Sequence, residues 1–370
     1  MMPNITKLVA GAIFSAALFL VQTEISFAQE TVIEPAHIRT FAEDISFNGV
    51  ALVAQQGEIV ELNSYHRKGM PKGGHTVGTR FNIGSIGKVF TAVAIGQLVD
   101  SGALKFDDPV RSYLSELPAS YQDIKVSHLL THMSGVGIFF QPKHMEAIYN
   151  FETLDDVMAI ILSEPQIFKP GERMQYSNSG FVILGALIER VTSMSYEGYI
   201  KKNVFDRAGM NETRFEVDAF TATNYTQQTG QRRQRGSSSF TPDTTSPYVK
   251  GRTRRALPAG GTFSTAHDMY KFAMALVNHK LMSSETTKLM TSAKPGTVRV
   301  SPSSGKEVSY GYGFNIADNG ARIGHGGGGP GINAELRIWP KTQTVIVTLA
   351  NLDPPIASVL ANSIEGYLND

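Results

Sequence analysis

A serine and a lysine three residues apart, Ser85 and Lys88, lie in the otherwise apolar stretch FNIGSIGKVF. On a helix, side chains at that spacing share a face about 5 Å apart, so the amine can reach the hydroxyl. The residues that follow, among them Val89, Phe90, Val93, Ile95 and Leu98, cover nearly the whole helix circumference, the pattern of a helix buried on all sides. Taking an ammonium group out of water favours its neutral form, and an amine that is neutral near working pH can act as a general base. The helix start adds backbone N–H groups and a dipole that favour an oxyanion. The chemistry within reach is therefore activation of a serine hydroxyl, with negative charge developing beside a helix N-terminus.

Ser-x-x-Lys is a common pattern, and two further segments give it meaning. Tyr176-Ser177-Asn178 stands just before the apolar run GFVILGALIERV, and His325-Gly326-Gly327 stands just before the strand-like INAELRIWP. Glycines 326–329 are consecutive and are followed by Pro330, which points to backbone approached closely by a substrate or by the helix bearing Ser85.

Serine plus lysine, then tyrosine and asparagine, then a glycine-rich segment, in that order, resembles the serine β-lactamase and penicillin-binding protein superfamily. The closest likeness is to its class C-like branch, which also holds esterases, D-aminopeptidases and D,D-peptidases. LLTHMSGV at 129–136 and LPAGGTFSTAHDMYKF at 257–272 are similar to stretches of that branch, and the likeness runs from about residue 47 to the C-terminus. The resemblance implies a β-lactamase/transpeptidase-like fold and an acyl-enzyme on Ser85, with Lys88 as base. It makes Tyr176 the acid/base that serves the leaving group, and Asn178 a substrate-amide ligand that also helps hold Lys88. The N–H groups of Ser85 and Gly328 would form the oxyanion hole, with His325 and Gly327 lining the substrate. Where β-lactamases begin this third motif with a lysine, the chain has His325, mostly neutral at pH 7. Carboxylate recognition through this motif is then weaker, which favours an esterase or D-amino-acid peptidase over a β-lactamase or D,D-carboxypeptidase. A catalytically silent penicillin-binding-like sensor is the non-enzyme alternative.

The elements that must position these residues follow from local pattern. NGVALVAQQGEIVELNSYHR reads as a hairpin turning at 55–57. Helices are predicted over Ser85 to Asp100, with Gly102 as the stop, and at VSHLLTHM, LDDVMAIILS, SGFVILGALIERVTS and YEGYIKKNVFDRAG. YGYGFNI, INAELRIWP and QTVIVTLAN read as strands, and IASVLANSIEGYL as a C-terminal helix. Strands at both ends and helices between predict an α+β fold: an antiparallel sheet built from the two chain ends and flanked by helices, plus a mostly helical part. The expected division is an α/β part at 29–84 and 256–370 around a helical part at 85–255.

Bulk properties narrow the function classes. A net charge of +1 over 370 residues gives no general attraction for nucleic acid. The absence of cysteine excludes disulfides, a cysteine nucleophile and cysteine-ligated metal. His128 and His132 have helical spacing, but HLLTH lacks the glutamate of the zinc-peptidase motif, so neither metal nor cofactor is expected. Helix capping or hydrogen bonding in the core is the expected role of His132, next to Ser134 and Gly135. The N-terminus, with Lys7, an apolar run over 8–21 and SFA before Gln29, reads as a secretory signal peptide over residues 1–28. The mature chain is thus expected in the periplasm or outside the cell, with no membrane span and with a small-molecule or peptide substrate as partner. Residues 226–255, with seven Lys or Arg and one acid, read as a solvated loop.

Overall fold

The computed structural model describes residues 31–70, 74–223, 225–227, 240–242, 256–301 and 305–369. The signal-peptide segment lies outside these residues. So does most of the basic stretch 226–255, apart from the two short strands β4 (Tyr225–Gln227) and β5 (Phe240–Pro242), which pair with each other.

The sheet is built from both chain ends because the most apolar strands come from there. The hairpin of β1 (Gly49–Gln55) and β2 (Glu58–Tyr65) pairs through β1 with β12 (Thr344–Ala350), Gly49 opposite Ala350 and Ala54 opposite Val345. β11 (Ile332–Trp339) and β10 (Arg322–Gly329) continue the sheet. The short strands β9 (Asn315–Ala317), β8 (Glu307–Tyr310) and β7 (Arg299–Val300) complete the order β2-β1-β12-β11-β10-β9-β8-β7, every pairing antiparallel. β1 and β12 are buried at every position. That is why they read as unbroken apolar runs rather than alternating ones: a central strand covered on both faces has no solvent side. Ala51, Val53 and Ile346 face a smaller core under the first helix, Pro35–Asp44, and the last, Ile356–Asn369. Val50, Leu52, Val345 and Val347 face the larger core, which holds the helix Lys88–Asp100 and the central helices. The result is a helix–sheet–helix sandwich.

Three local expectations need correction. The predicted helix from Ser85 begins as a 3-10 turn, Gly84–Gly87, and becomes α-helical only at Lys88. The expected strand YGYGFNI is two short strands, β8 and β9, with a turn between them. The glycine run does precede the expected strand, which is β11, but it is itself the second half of β10, so Gly328 lies near the end of that strand. It is still a locally open edge, since β9 pairs only with Arg322 to Gly324.

That open edge is where the Ser85 turn docks, and the contact explains why these positions are glycine. A β-carbon on Gly327 would lie 2.0 Å from the Ile83 carbonyl oxygen, and one on Gly84 would lie 2.9 Å from the Gly328 nitrogen. On the opposite side, β3 (Phe81–Asn82) pairs with β6 (Phe263–Ser264), Gly261 donates its N–H to the Gly84 carbonyl at 3.1 Å, and a β-carbon on Gly260 would come within 2.5 Å of that oxygen. Gly84 itself has φ of +52°, a left-handed value that favours glycine. Backbone packed on backbone from two sides tightens the turn that carries the serine.

Gly327→Ala is expected to lower stability by about 1–3 kcal/mol and to slow any reaction at Ser85 at least tenfold. Gly329→Ala, whose β-carbon would meet nothing closer than 3.7 Å, serves as the control. Urea denaturation and Ser85 labelling rates of the two variants check this; equal behaviour would show that the close approach has no consequence.

Candidate active site

Three chain segments meet at Lys88. It is wholly buried, and its Nζ lies 3.2 Å from Ser85 Oγ, 2.7 Å from Asn178 Oδ1 and 2.5 Å from the Ala259 carbonyl oxygen. No carboxylate pairs with it among the described residues, and burial pushes its pKa well below the usual lysine value. The neutral form accounts for every contact. A neutral amine has two hydrogens and one lone pair; the Ala259 carbonyl and the Asn178 carbonyl oxygen can only accept, so they take both hydrogens. The lone pair is left for the Ser85 O–H.

The sequence places these partners by simple devices. Ser177 caps the helix Asn178–Thr192, accepting the Gly180 N–H at 3.3 Å, so Asn178 is its first residue and Tyr176 the residue before the cap. Ala259 belongs to the strap 256–264 that also holds the Ser85 turn, and Thr91 anchors this strap by donating to the Pro258 carbonyl at 2.7 Å. The backbone carbonyl of Ala259 escaped the sequence reading. The only signal was the PAGG stretch, whose glycine φ values of +141° at Gly260 and +93° at Gly261 mark a backbone that must approach another backbone.

Tyr176 is 43% exposed as a residue, but its hydroxyl turns inward, within hydrogen-bonding reach of the Ser85 side chain. Burial of that end raises the phenol pKa, so the hydroxyl keeps its proton across the physiological range. The Lys88 amine lies 4.8 Å from the Tyr176 ring centroid and 5.5 Å from that of Phe181.

Behind Tyr176 stand two histidines and a second tyrosine. The His132 ring lies 4.3 Å from that of Tyr176 and 4.8 Å from that of Tyr310. Its Nδ1 accepts the Ser177 N–H at 3.1 Å, which puts the proton of the neutral ring on Nε2. His132 is thus a core hydrogen-bonding histidine, as expected, though the packing against Tyr176 was not foreseen. His325 donates from Nδ1 to the Gly326 carbonyl at 2.6 Å, leaving Nε2 to accept the Tyr310 O–H at 2.9 Å. Burial lowers the His325 pKa to about 3. Burial likewise holds His132 well below the usual value. Both imidazoles are therefore uncharged in the fold.

Of the residues singled out in the sequence, Ser85, Lys88, Tyr176 and Asn178 meet directly. Gly327 and Gly328 lie against the Ser85 turn: a β-carbon on Gly327 would be 3.1 Å from the Ser85 nitrogen. His325 sits one layer back, its ring centroid 6.4 Å from that of Tyr176. His128 stays apart, with Nδ1 accepting the Lys125 N–H at 3.3 Å.

Known proteins share both the sequence pattern and the fold of this chain. PbpX of Bacillus subtilis is 30% identical over 331 residues, spanning 87% of this chain and 75% of its own. The crystal structure of a penicillin-binding protein from Bacillus halodurans superposes with a TM-score of 0.73 at 28% identity, covering 89% of this chain and 98% of that one. The D-amino acid amidase of Ochrobactrum anthropi shares the fold, with a TM-score of 0.70 at 20% identity over 90% of this chain and 98% of that one. The Beta-lactamase family profile matches residues 36–365, and the chain belongs to that family of serine hydrolases.

Proposed function

We propose that the protein is a secreted hydrolase that cleaves an ester or amide through an acyl-enzyme on Ser85. The observation that carries this reading is the wholly buried Lys88 amine, within hydrogen-bonding reach of Ser85 Oγ and of two carbonyl acceptors and without a carboxylate beside it among the described residues, a setting that favours its neutral form. In the first step the Ser85 proton passes to Lys88 as Oγ bonds to the substrate carbonyl carbon. The oxyanion so formed faces the N–H groups of Ser85 and Gly328, each donor worth about 3 kcal/mol of transition-state stabilisation. The Lys88 proton then reaches the leaving group through the Tyr176 hydroxyl, and the C–O or C–N bond breaks. Tyr176 suits a relay and not a primary base, because a phenol with a raised pKa holds its own proton at neutral pH. Water follows the same route in reverse and releases the acid. Asn178 holds the lysine in register and offers its amide to the substrate.

A β-lactamase or D,D-carboxypeptidase is the second reading, favoured by the penicillin-binding names of the relatives. A silent sensor is the third. Intact mass after incubation with a fluorophosphonate, a penicillin and a short-chain nitrophenyl ester separates them. Rapid Ser85-dependent ester turnover is the expected result. A long-lived penicillin adduct would point to the sensor or peptidase, and no adduct with any probe would end the hydrolase reading. Secretion is tested by the N-terminal sequence of the exported protein, expected to begin at Gln29.

Ser85→Ala is expected to abolish turnover and labelling while the fold survives. Lys88→Arg should cost on the order of 10²–10⁴-fold in kcat/KM, because a guanidinium does not give up its proton. Wild-type rates in the arginine variant would remove Lys88 from the role of base.

Charge state has its own test in stability. The unfolded chain keeps the Lys88 proton up to about pH 10.4 whereas the fold releases it, so the unfolded state binds more protons and stability rises with pH. Between pH 7 and 9 the unfolding free energy of the wild type should climb by up to about 1.4 kcal/mol per pH unit more than that of Lys88→Met. Parallel slopes would mean that Lys88 is charged in the fold.

A further inference from the structure

The short helix Val126–Leu130 ends at Thr131, and the next residue, His132, has φ of +60°, the left-handed region where glycine is the usual occupant. Ending a helix this way needs only the backbone, and a glycine would do it without strain. The chain instead keeps a large side chain at this point and buries it. The imidazole therefore has a use other than the cap.

His132 grips three consecutive residues. Its carbonyl accepts the Gln175 N–H at 2.9 Å, its Nδ1 accepts the Ser177 N–H at 3.1 Å, and its ring lies 4.3 Å from the Tyr176 ring, tilted by 35°. Tyr176 itself belongs to no helix or strand, standing two residues before the helix Asn178–Thr192 begins. Its backbone is thus tied on either side to one residue of a different segment, and its ring rests on the side chain of that same residue. His132 is braced in turn, its ring 4.8 Å from that of Tyr310 and 5.3 Å from that of Phe181. Tyr176 is otherwise half-exposed. Without this support the ring could swing toward solvent and carry its hydroxyl away from Ser85.

We propose that His132 is the positioning residue for Tyr176, holding the phenol where its hydroxyl can hand a proton to the leaving group. This rests on the acyl-serine reading and deepens it. His132 exchanges no proton with the substrate; it acts through Tyr176.

The test uses two esters of the same short acyl group, one of nitrophenol and one of trifluoroethanol, compared by kcat/KM, which covers only the steps up to acylation. Nitrophenolate departs without being protonated, whereas the more basic trifluoroethoxide needs a proton as it leaves, so only the second ester depends on where the Tyr176 hydroxyl sits. Lys88 and the oxyanion hole serve both esters alike, and a loss of folded protein lowers both by one factor. In His132→Leu, which keeps bulk but has no acceptor, kcat/KM is expected to fall on the order of 10- to 100-fold for the trifluoroethyl ester and less than about threefold for the nitrophenyl ester. His132→Asn tolerates the left-handed backbone and keeps an acceptor where Nδ1 stood, so it should show the same skew at smaller size. Equal losses on the two esters, or no loss on either, in folded His132→Leu overturn the proposal, while Ser85-dependent turnover by the wild type keeps the hydrolase reading standing. If the leucine variant does not fold, the same outcomes in His132→Asn decide. A wild type active on the nitrophenyl ester alone also overturns the proposal, because a phenol held in place must serve the poorer leaving group. If the wild type turns over neither ester, both readings fall together.

Discussion

The site is organised around one buried amine that has to find two hydrogen-bond acceptors and one proton donor without a carboxylate. Lys88 obtains them from three separate segments: the Asn178 amide at a helix start, the Ala259 carbonyl on a strap, and its own neighbour Ser85. Had a carboxylate been supplied instead, the amine would have stayed protonated and its use as a base would be lost. The surrounding architecture meets that requirement. An apolar helix removes water from one side, the helix Asn178–Thr192 closes another, and the strap brings in a carbonyl that adds polarity without charge. Burying the amine opposes folding, and the apolar cores on both faces of the sheet offset it.

The second constraint is clearance. The serine turn is wedged between the strap and β10 with so little room that a single β-carbon at Gly84, Gly260 or Gly327 would meet backbone. Close packing of this kind fixes the direction of the Ser85 N–H and hydroxyl without any side chain being spent on it. It also explains why the turn is 3-10 rather than α-helical. The tighter turn fits the left-handed Gly84 and the two flanking backbones, and regular α-geometry resumes once Lys88 is past them.

Much of this was legible in the sequence because it rests on local rules. Alternation and apolar runs marked the sheet, and the all-round apolar pattern after Ser85 marked the buried helix; both are short-range signals. The serine, lysine, tyrosine and asparagine were recognisable by their order along the chain. What escaped was whatever depends on backbone atoms or on distant pairings. The Ala259 carbonyl has no residue-type signature, because any residue carries one. The placement of His325-Gly326-Gly327 inside β10 was missed because a glycine-rich strand has neither alternation nor β-branched residues to announce it.

The histidine of the third motif makes electrostatic sense in this setting. A lysine at position 325 would add a second buried amine near Lys88. Burial would press both toward neutrality, and any charge on one would raise the cost of a charge on the other. An imidazole tied from Nδ1 to the Gly326 carbonyl and from Nε2 to the Tyr310 hydroxyl satisfies the same space with no charge at all.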